Sequence, residues 1–252
     1  MGITAALAVI GNEILSGKTQ DENAVFLIKE LRELGVPIRR IVMVADDVGE
    51  IAWAVNAARA AADVVFTTGG IGPTHDDVTI DGIAAAFGRP VVRHPKLDAM
   101  IRGHLEGRGT PAELESALKM ADVVEGTELL WPEGLTYPVT RIENVYVFPG
   151  IPAILKKKWH AIRETFRQAP WELALVYVIP EEHVIARKLS LVQERFPGIE
   201  IGSYPDIAAA DFKVKVTLES KDAARLKDAL AHLLALLDPA QVRRTVTPGG
   251  WS

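Results

Sequence analysis

Four carboxylates and one glycine turn are the residues of this chain whose types and spacing could do chemistry. Residues 64–79, Val-Val-Phe-Thr-Thr-Gly-Gly-Ile-Gly-Pro-Thr-His-Asp-Asp-Val-Thr, run from an apolar strand through Gly69, Gly70 and Gly72 to Asp76 and Asp77. Without a Cβ, the glycines let the backbone turn tightly and set its N–H groups against phosphate oxygens, while Thr68 and Thr74 add hydroxyl donors. Two aspartates repel a phosphate, so a divalent cation between them and the anion reconciles the charges. The plainer alternative is a strand-to-helix loop in which Asp77 caps the helix.

Two earlier strands bring further acids. Glu13 lies in Gly-Asn-Glu-Ile-Leu-Ser-Gly (11–17) after the first apolar run, and Asp46-Asp47 ends the second. Glu13 reads as a metal ligand or base, or else as an exposed loop residue; Asp47 reads equally as a helix cap. Successive strands deliver Glu13, Asp46, Asp76 and Asp77 to one edge, where a hard ion such as Mg²⁺ would suit their oxygens. His75 reads as a hydrogen-bond partner orienting the aspartates, not as the base. The other five histidines have no metal spacing, and no Gly-x-Gly-x-x-Gly, Walker lysine, Gly-x-Ser-x-Gly or His-Glu-x-x-His pattern occurs.

The elements that must position these groups alternate. Apolar runs at 3–10, 38–44 and 64–68 predict strands, separated by helices at 21–34, with Val25, Ile28, Leu31 and Leu34 as its stripe and Gly35 as its stop, and at 48–62. That order predicts a doubly wound, mainly parallel α/β sheet with ligands at its carboxyl edge. Helices at 94–106 and 110–119 follow, the latter with Thr110 as cap and Pro111 at its first position. A strand at 144–148 then runs through Pro149-Gly150-Ile151-Pro152 into a helix reaching about Gln168, which offers a second backbone patch to the same crevice. Trp53 and Trp159 read as packing.

A boundary is expected near Ala169-Pro170, giving domains at 1–168 and 171–238 and a patternless tail at 239–252. The small domain reads as α+β: strands at 171–179, 200–204 and 212–219, helices at 181–196 and 221–237, and one wet sheet face from the alternation of Val214, Val216 and Leu218 with Lys213, Lys215 and Thr217. Its Gly202-Ser203-Tyr204-Pro205-Asp206 segment reads as a turn with an aromatic face for a base or a second protomer.

Composition narrows the class. The absence of cysteine excludes disulfides, thiolate nucleophiles and zinc knuckles, and a net charge of −5 offers no footprint for nucleic acid. The cluster Lys156-Lys157-Lys158 reads as a solvated face, with a phosphate-facing role open to one of the three. The apolar run at 3–10 is too short for a membrane span, and the chain reads as cytoplasmic.

These motifs resemble the molybdopterin-binding, or MoaB/Mog-like, domain in the branch typified by the competence/damage-inducible protein CinA. The resemblance rests on Val9 to Gly17 with Asp21-Glu22-Asn23, on Val44-Ala45-Asp46-Asp47, on Thr67 to Thr79, and on Phe148-Pro149-Gly150-Ile151-Pro152. Tyr137-Pro138-Val139, residues 144–152, Ile201 to Pro205 and Val214 to Ser220 are similar to the N-terminal part of eukaryotic FAD synthase. The FAD-forming and amidase activities of those families belong to separate following domains, and the resemblance carries neither.

The resemblance implies a phosphate-binding crevice and, by analogy with relatives, metal-dependent hydrolysis of a dinucleotide pyrophosphate such as ADP-ribose or FAD. Asp77, Asp46 and Glu13 would then be catalytic. Thr68, Gly69, Gly70, Gly72, Thr74, Asn23, Pro149 and Gly150 would hold the ligand, and Mg²⁺, Mn²⁺ or Co²⁺ would sit on Glu13, Asp46, Asp76 and Asp77. Molybdopterin as the ligand, in cofactor biosynthesis, is the alternative, and a non-catalytic regulatory domain is a third. Relatives assemble, and a homodimer is the favoured oligomer.

Overall fold

The computed structural model describes residues 2–105 and 110–249, which divide into two compact units at Gln168/Ala169. In the first unit the chain runs through β1 (Ala5–Ile10), α1 (Asn12–Leu15), α2 (Asn23–Glu33), β2 (Ile38–Val44), α3 (Val48–Ala61), β3 (Val64–Thr68) and α4 (Thr79–Phe87). It continues through β4 (Val91–Arg93), α5 (Pro95–Leu105), α6 (Pro111–Leu118), β5 (Asp122–Val124), β6 (Glu128–Leu130), β7 (Val139–Ile142), β8 (Val145–Phe148) and α7 (Pro152–Ile162). Six strands form one sheet in the order β2-β1-β3-β8-β7-β6; the first four are parallel, β7 pairs antiparallel with β8, and β6 antiparallel with β7. The fold is mixed α/β with a mostly parallel central sheet. Glu106, expected to end the helix at 94–106, lies outside the described residues.

Strand β1 shows why the sheet is doubly covered. All six of its side chains are buried; Ala5, Leu7 and Val9 face the cluster that includes α2 and α7, and Ala6, Ala8 and Ile10 face the one that includes α3. Alanines on the second face let α3 approach with Ala54 and Ala58, and Gly82 of α4 lies so near Ile51 that a Cβ there would come within 2.4 Å of it. The opposite face carries an aromatic cluster in which Phe66 meets Trp159 and Phe166 edge-on at 5.3 and 5.2 Å.

Three sequence expectations need correction here. The buried stripe of α2 is Ala24, Leu27, Leu31 and Leu34, while Val25 and Ile28 are exposed. Asp21 Oδ1 accepts from the N–H groups of Asn23 and Ala24, and the Asn23 amide donates to Gly150 O, so anchors at the helix start fix its rotation. Trp53 is exposed because α3 buries Ile51, Ala54, Val55 and Ala58; Trp159 is fully buried and donates to Glu30 at 2.7 Å. Lys158 is buried as well, so the lysine cluster is not uniformly solvated.

The second unit contains β9 (Glu172–Val178), α8 (Glu182–Arg195), β10 (Glu200–Pro205), β11 (Val214–Ser220), α9 (Ala223–Leu236) and β12 (Val242–Val246). Its antiparallel sheet has the order β10-β11-β9-β12, with α8 and α9 packed on the face that presents Val176, Val214, Val216 and Leu218. The expected tail is partly wrong: residues 242–246 pair with β9. This edge strand is mostly exposed and has no apolar alternation to reveal it; backbone bonds and the Arg244 guanidinium stacked 4.2 Å from the Tyr177 ring hold it. Residues 202–205, expected as a turn, belong to β10. Tyr204 folds back toward Gly202 and Thr217, which buries Thr217 on the face expected to be wet.

Candidate functional site

The carboxyl ends of β1, β2, β3 and β8 meet around a cavity of about 680 Å³, within the range of small-molecule sites. At its centre is the glycine turn after β3. Gly69 and Gly70 have φ of 98° and 62°, the left-handed region that glycine tolerates. A Cβ on Gly69 would lie 2.1 Å from Ile10 O, and one on Gly70 would lie 2.3 Å from Thr79 Oγ1. Thr79, fully buried at the start of α4, holds the turn by donating its hydroxyl to Gly69 O at 2.9 Å and its N–H to Gly70 O at 3.0 Å.

Three successive N–H groups of the turn, those of Gly70, Ile71 and Gly72, have no protein acceptor among the described residues. Gly69 is different: its N–H donates to Phe148 O at 3.2 Å and is not available to a ligand. A run of unpaired amides makes an anion-binding concavity. Beside the turn, α7 begins at Pro152 with the N–H groups of Gly150 and Ile151 likewise unpaired among the described residues, and the positive end of its dipole lies there. Gly150 packs against Gly69, a Cβ on it falling 3.4 Å from Gly69 Cα, so the two backbone patches adjoin.

Glu13, Asp46, Asp76 and Asp77 all line this cavity. Asp46 is tied to the loop after β1, and Asp76 and Asp77 to their own loop. Asp46 accepts the Asn12 N–H on Oδ2 at 2.7 Å and turns Oδ1 toward Gly70; Asp47 caps α3 through the N–H groups of Gly49 and Glu50. Asp77 does not cap α4. Its Oδ2 accepts the Thr74 N–H at 2.8 Å and the Thr74 hydroxyl at 2.5 Å, closing the loop on itself. The same hydroxyl reaches Asp76 at 2.6 Å and holds that carboxyl below the usual range.

Among the described residues no three histidine, aspartate or glutamate side chains lie close enough to hold a metal ion. The expected four-carboxylate cage is therefore not preformed; Asp46 is held on the Asn12 N–H, and Asp76 and Asp77 on Thr74. Mg²⁺ typically takes only one or two carboxylates, with water and phosphate oxygens completing its shell. Asp46 and Asp77, which flank the unpaired amides, fit an ion that arrives with a phosphate ligand.

Of the other expected ligand residues, Gly69, Gly70, Gly72, Pro149 and Gly150 line the cavity, and Thr68, Thr74 and Asn23 do not. Asn23 supports the Gly150 turn from behind at 2.7 Å, and Thr74 orients the aspartates. His75 is almost fully exposed and 3.9 Å from Asp76. Sequence reading missed Thr79, Tyr137 and Lys119. Lys119 Nζ donates to Thr74 O at 2.5 Å, tying the turn to the segment after α6. Tyr137 donates to Met120 O, and burial raises its pKa to about 12. Lys158 lies in the same wall, 4.8 Å from the Tyr137 ring centre. Lys119, Tyr137 and Lys158 could not be located from spacing alone, since each reaches the cavity from an element distant in sequence from the turn, whereas Thr79 closes the turn's own segment without lining the cavity.

A mainly parallel α/β unit with its ligand cavity at the carboxyl edge, followed by a separate antiparallel α+β unit, defines the class of protein. Residues 6–168 match the probable molybdopterin binding domain, and residues 171–246 match the FAD synthase middle domain. The chain belongs to the molybdopterin-binding domain family. A probable FAD synthase of Caenorhabditis elegans is 34% identical across 93% of this chain and 50% of its own length, and the chain spans about half the length of such relatives. A protein of Archaeoglobus fulgidus is 35% identical across 91% of this chain and 96% of its own. The crystal structure of CinA from Thermoplasma acidophilum, described as of unknown function, aligns with a TM-score of 0.58 and 31% identity over 66% of this chain and 98% of that one. Among the described residues no helix is long and apolar enough to cross a membrane.

Proposed function

We propose that this protein is a metal-dependent nucleotide pyrophosphatase acting on dinucleotides of the ADP-ribose or FAD type. The observation that carries the reading is the apposition of three unpaired turn amides, at Gly70, Ile71 and Gly72, with Asp46 and Asp77 in one cavity. Such amides stabilise charge on a phosphoryl group without reorganising, and the adjacent carboxylates repel that charge unless a cation accompanies it. A bound Mg²⁺, Mn²⁺ or Co²⁺ would offset the phosphate charge and lower the pKa of a water molecule.

The chain's own groups would divide the remaining work. The turn amides bind one phosphate and the Gly150 and Ile151 amides orient the second. Asp46 or Asp77 takes the proton of the attacking water as its oxygen bonds to phosphorus, while the bridging P–O bond breaks and its electron pair leaves with the departing monophosphate. Glu13 lies at the cavity edge, suited to orienting water. The test is incubation of the purified chain with ADP-ribose, FAD or NAD and each metal in turn, with AMP as the measured product. No AMP from any pair would refute hydrolysis.

Molybdopterin binding without hydrolysis is the second reading. Its support is the apolar wall formed by Ile71, Ile80, Met120, Val123 and Ile154, which suits a flat heterocycle next to a single phosphate. Retention of molybdopterin with no AMP formation would favour it. For assembly we propose a homodimer, supported by the free edge of β2 with Ile41 and Met43 exposed; a monomer mass in light scattering at micromolar concentration would reject it.

A further inference from the structure

We propose that Lys158 determines specificity in this cavity by binding the second phosphate of a diphosphate ligand. The inference rests on the pyrophosphatase reading for its substrate class, and extends it to a residue that the carboxylate and glycine motifs leave out.

Lys158 is 4% exposed, yet it lines the cavity. Its ammonium donates to Pro138 O at 2.5 Å and sits 4.8 Å from the Tyr137 ring centre. No carboxylate pairs with it among the described residues, so two of its three N–H donors have no protein acceptor. Burying an ammonium costs several kcal/mol unless something compensates it, and one carbonyl and one ring face compensate only in part. Burial lowers its pKa to about 8, which leaves it mostly charged at neutral pH.

The placement favours a phosphate as the missing partner. Ile151, Ile154 and Lys158 share the face of α7 that lines the cavity, and helical side chains lean toward the helix N-terminus. Lys158 begins about 10 Å along the axis from Ile151 at 1.5 Å per residue, and its ammonium ends at Pro138 O, two residues before Thr140, which pairs with Val147 near the end of β8 that leads into Pro149-Gly150. The cavity thus has two charged sides: carboxylates gather at the glycine turn, where Lys119 is already bonded to Thr74 O, and Lys158 with a helix N-terminus stands on the α7 side. A single phosphate held on the turn with a metal leaves Lys158 unused. A diphosphate reaches both.

The test compares wild type with Lys158→Met and Lys158→Arg. Calorimetry in Mg²⁺ measures binding of AMP and of ADP whose bridging oxygen is replaced by methylene, and turnover of ADP-ribose is measured separately. Lys158→Met should weaken the diphosphate at least tenfold and AMP less than twofold, while Lys158→Arg restores diphosphate binding to within about threefold of wild type. Equal loss of both ligands, or unchanged diphosphate affinity, overturns the proposal. Should Lys158→Met not fold, Lys158→Gln, which keeps a donor for Pro138 O, replaces it under the same criteria. Wild type that binds the diphosphate through Lys158 but hydrolyses nothing rejects the pyrophosphatase reading alone. Turnover with unchanged kcat/KM in Lys158→Met rejects the role of Lys158 alone, and wild type that binds no diphosphate rejects both.

Discussion

The hydroxyl of Thr79 donates to the carbonyl of Gly69 at 2.9 Å from a fully buried position. This bond joins the first residue of α4 to the glycine turn and keeps the turn's next three amides pointed at the cavity. Thr79→Val removes the donor and leaves a buried carbonyl unpaired, at a cost of about 1–3 kcal/mol, and should weaken phosphate binding although Thr79 is not expected to touch the ligand. Thr79→Ser should restore both stability and binding. Gly70→Val drives a branched side chain into the same hydroxyl at φ 62° and should abolish binding. Chemical denaturation with phosphate titration checks all three, and a Thr79→Val variant that binds normally would show the turn to be rigid without this lock.

Asp46→Asn and Asp77→Asn should each lower metal-dependent turnover by about 10²–10⁴-fold, the usual worth of a positioned base. Melting temperature separates their effects. In Asp46→Asn the new amide oxygen can still accept the Asn12 N–H, so that variant should fold with wild-type stability. Asp77 accepts two bonds from Thr74, and its loss of charge should loosen the 74–77 loop as well. Turnover within threefold of wild type would remove the altered residue from the mechanism.

The buried lysine makes stability depend on pH with a definite sign. Lys158 has a folded pKa of about 8 against 10.5 for an ordinary lysine, so above pH 8 the unfolded chain binds the extra proton and the folded state gains stability as pH rises. Between pH 8 and pH 10 the gain is roughly 2 kcal/mol. Above pH 10 Tyr137, whose folded pKa is raised to about 12, opposes it, because its buried neutral form is favoured only until the unfolded tyrosine ionises. Urea unfolding of wild type and Lys158→Met at both pH values isolates the effect; a constant difference between the two proteins would contradict it.

A chain ending at Gln168 should fold and bind phosphate. The buried clusters of the first unit draw on residues up to Phe166, and the second unit has its own core around Val176, Val216 and Leu226. Gln168 must be kept, since its N–H donates to Leu34 O at 2.8 Å and its side chain to Ile3 O at 2.8 Å. The expected readout is a cooperative thermal transition with intact phosphate binding and weaker binding of a whole dinucleotide. Loss of phosphate binding in the folded fragment would assign part of the site to residues after 168.

In the second unit, removal of residues 242–249 should expose β9 on one edge and lower stability by several kcal/mol, because every β12 pairing is lost and Tyr177 loses the Arg244 cation. Light scattering should then show aggregation through the unpaired edge. Unchanged melting of the shortened chain would make β12 a dispensable addition.

Local pattern alone carried much of this architecture. The apolar run at 64–68 coincides with β3 because a buried parallel strand needs continuous apolar side chains, the run at 38–44 coincides with β2 although that edge strand is mostly exposed, and Gly35 ends α2 because its φ of 70° suits a residue without Cβ. The convergence of Glu13, Asp46, Asp76 and Asp77 was also legible, since parallel strands place their carboxyl ends on one edge. What local pattern cannot encode is rotation, pairing and long-range contact. The face that α2 buries was fixed by Asn23 reaching Gly150, 127 residues away. The edge strand β12 needed β9 to exist, and the burial of Lys158 needed Tyr137 and Pro138 to fold across α7. Whether four carboxylates at one edge become a metal cage was likewise decided in three dimensions, where Asp46 is held by the Asn12 N–H and Asp76 and Asp77 by Thr74, and no three of the acids gather around a common centre among the described residues.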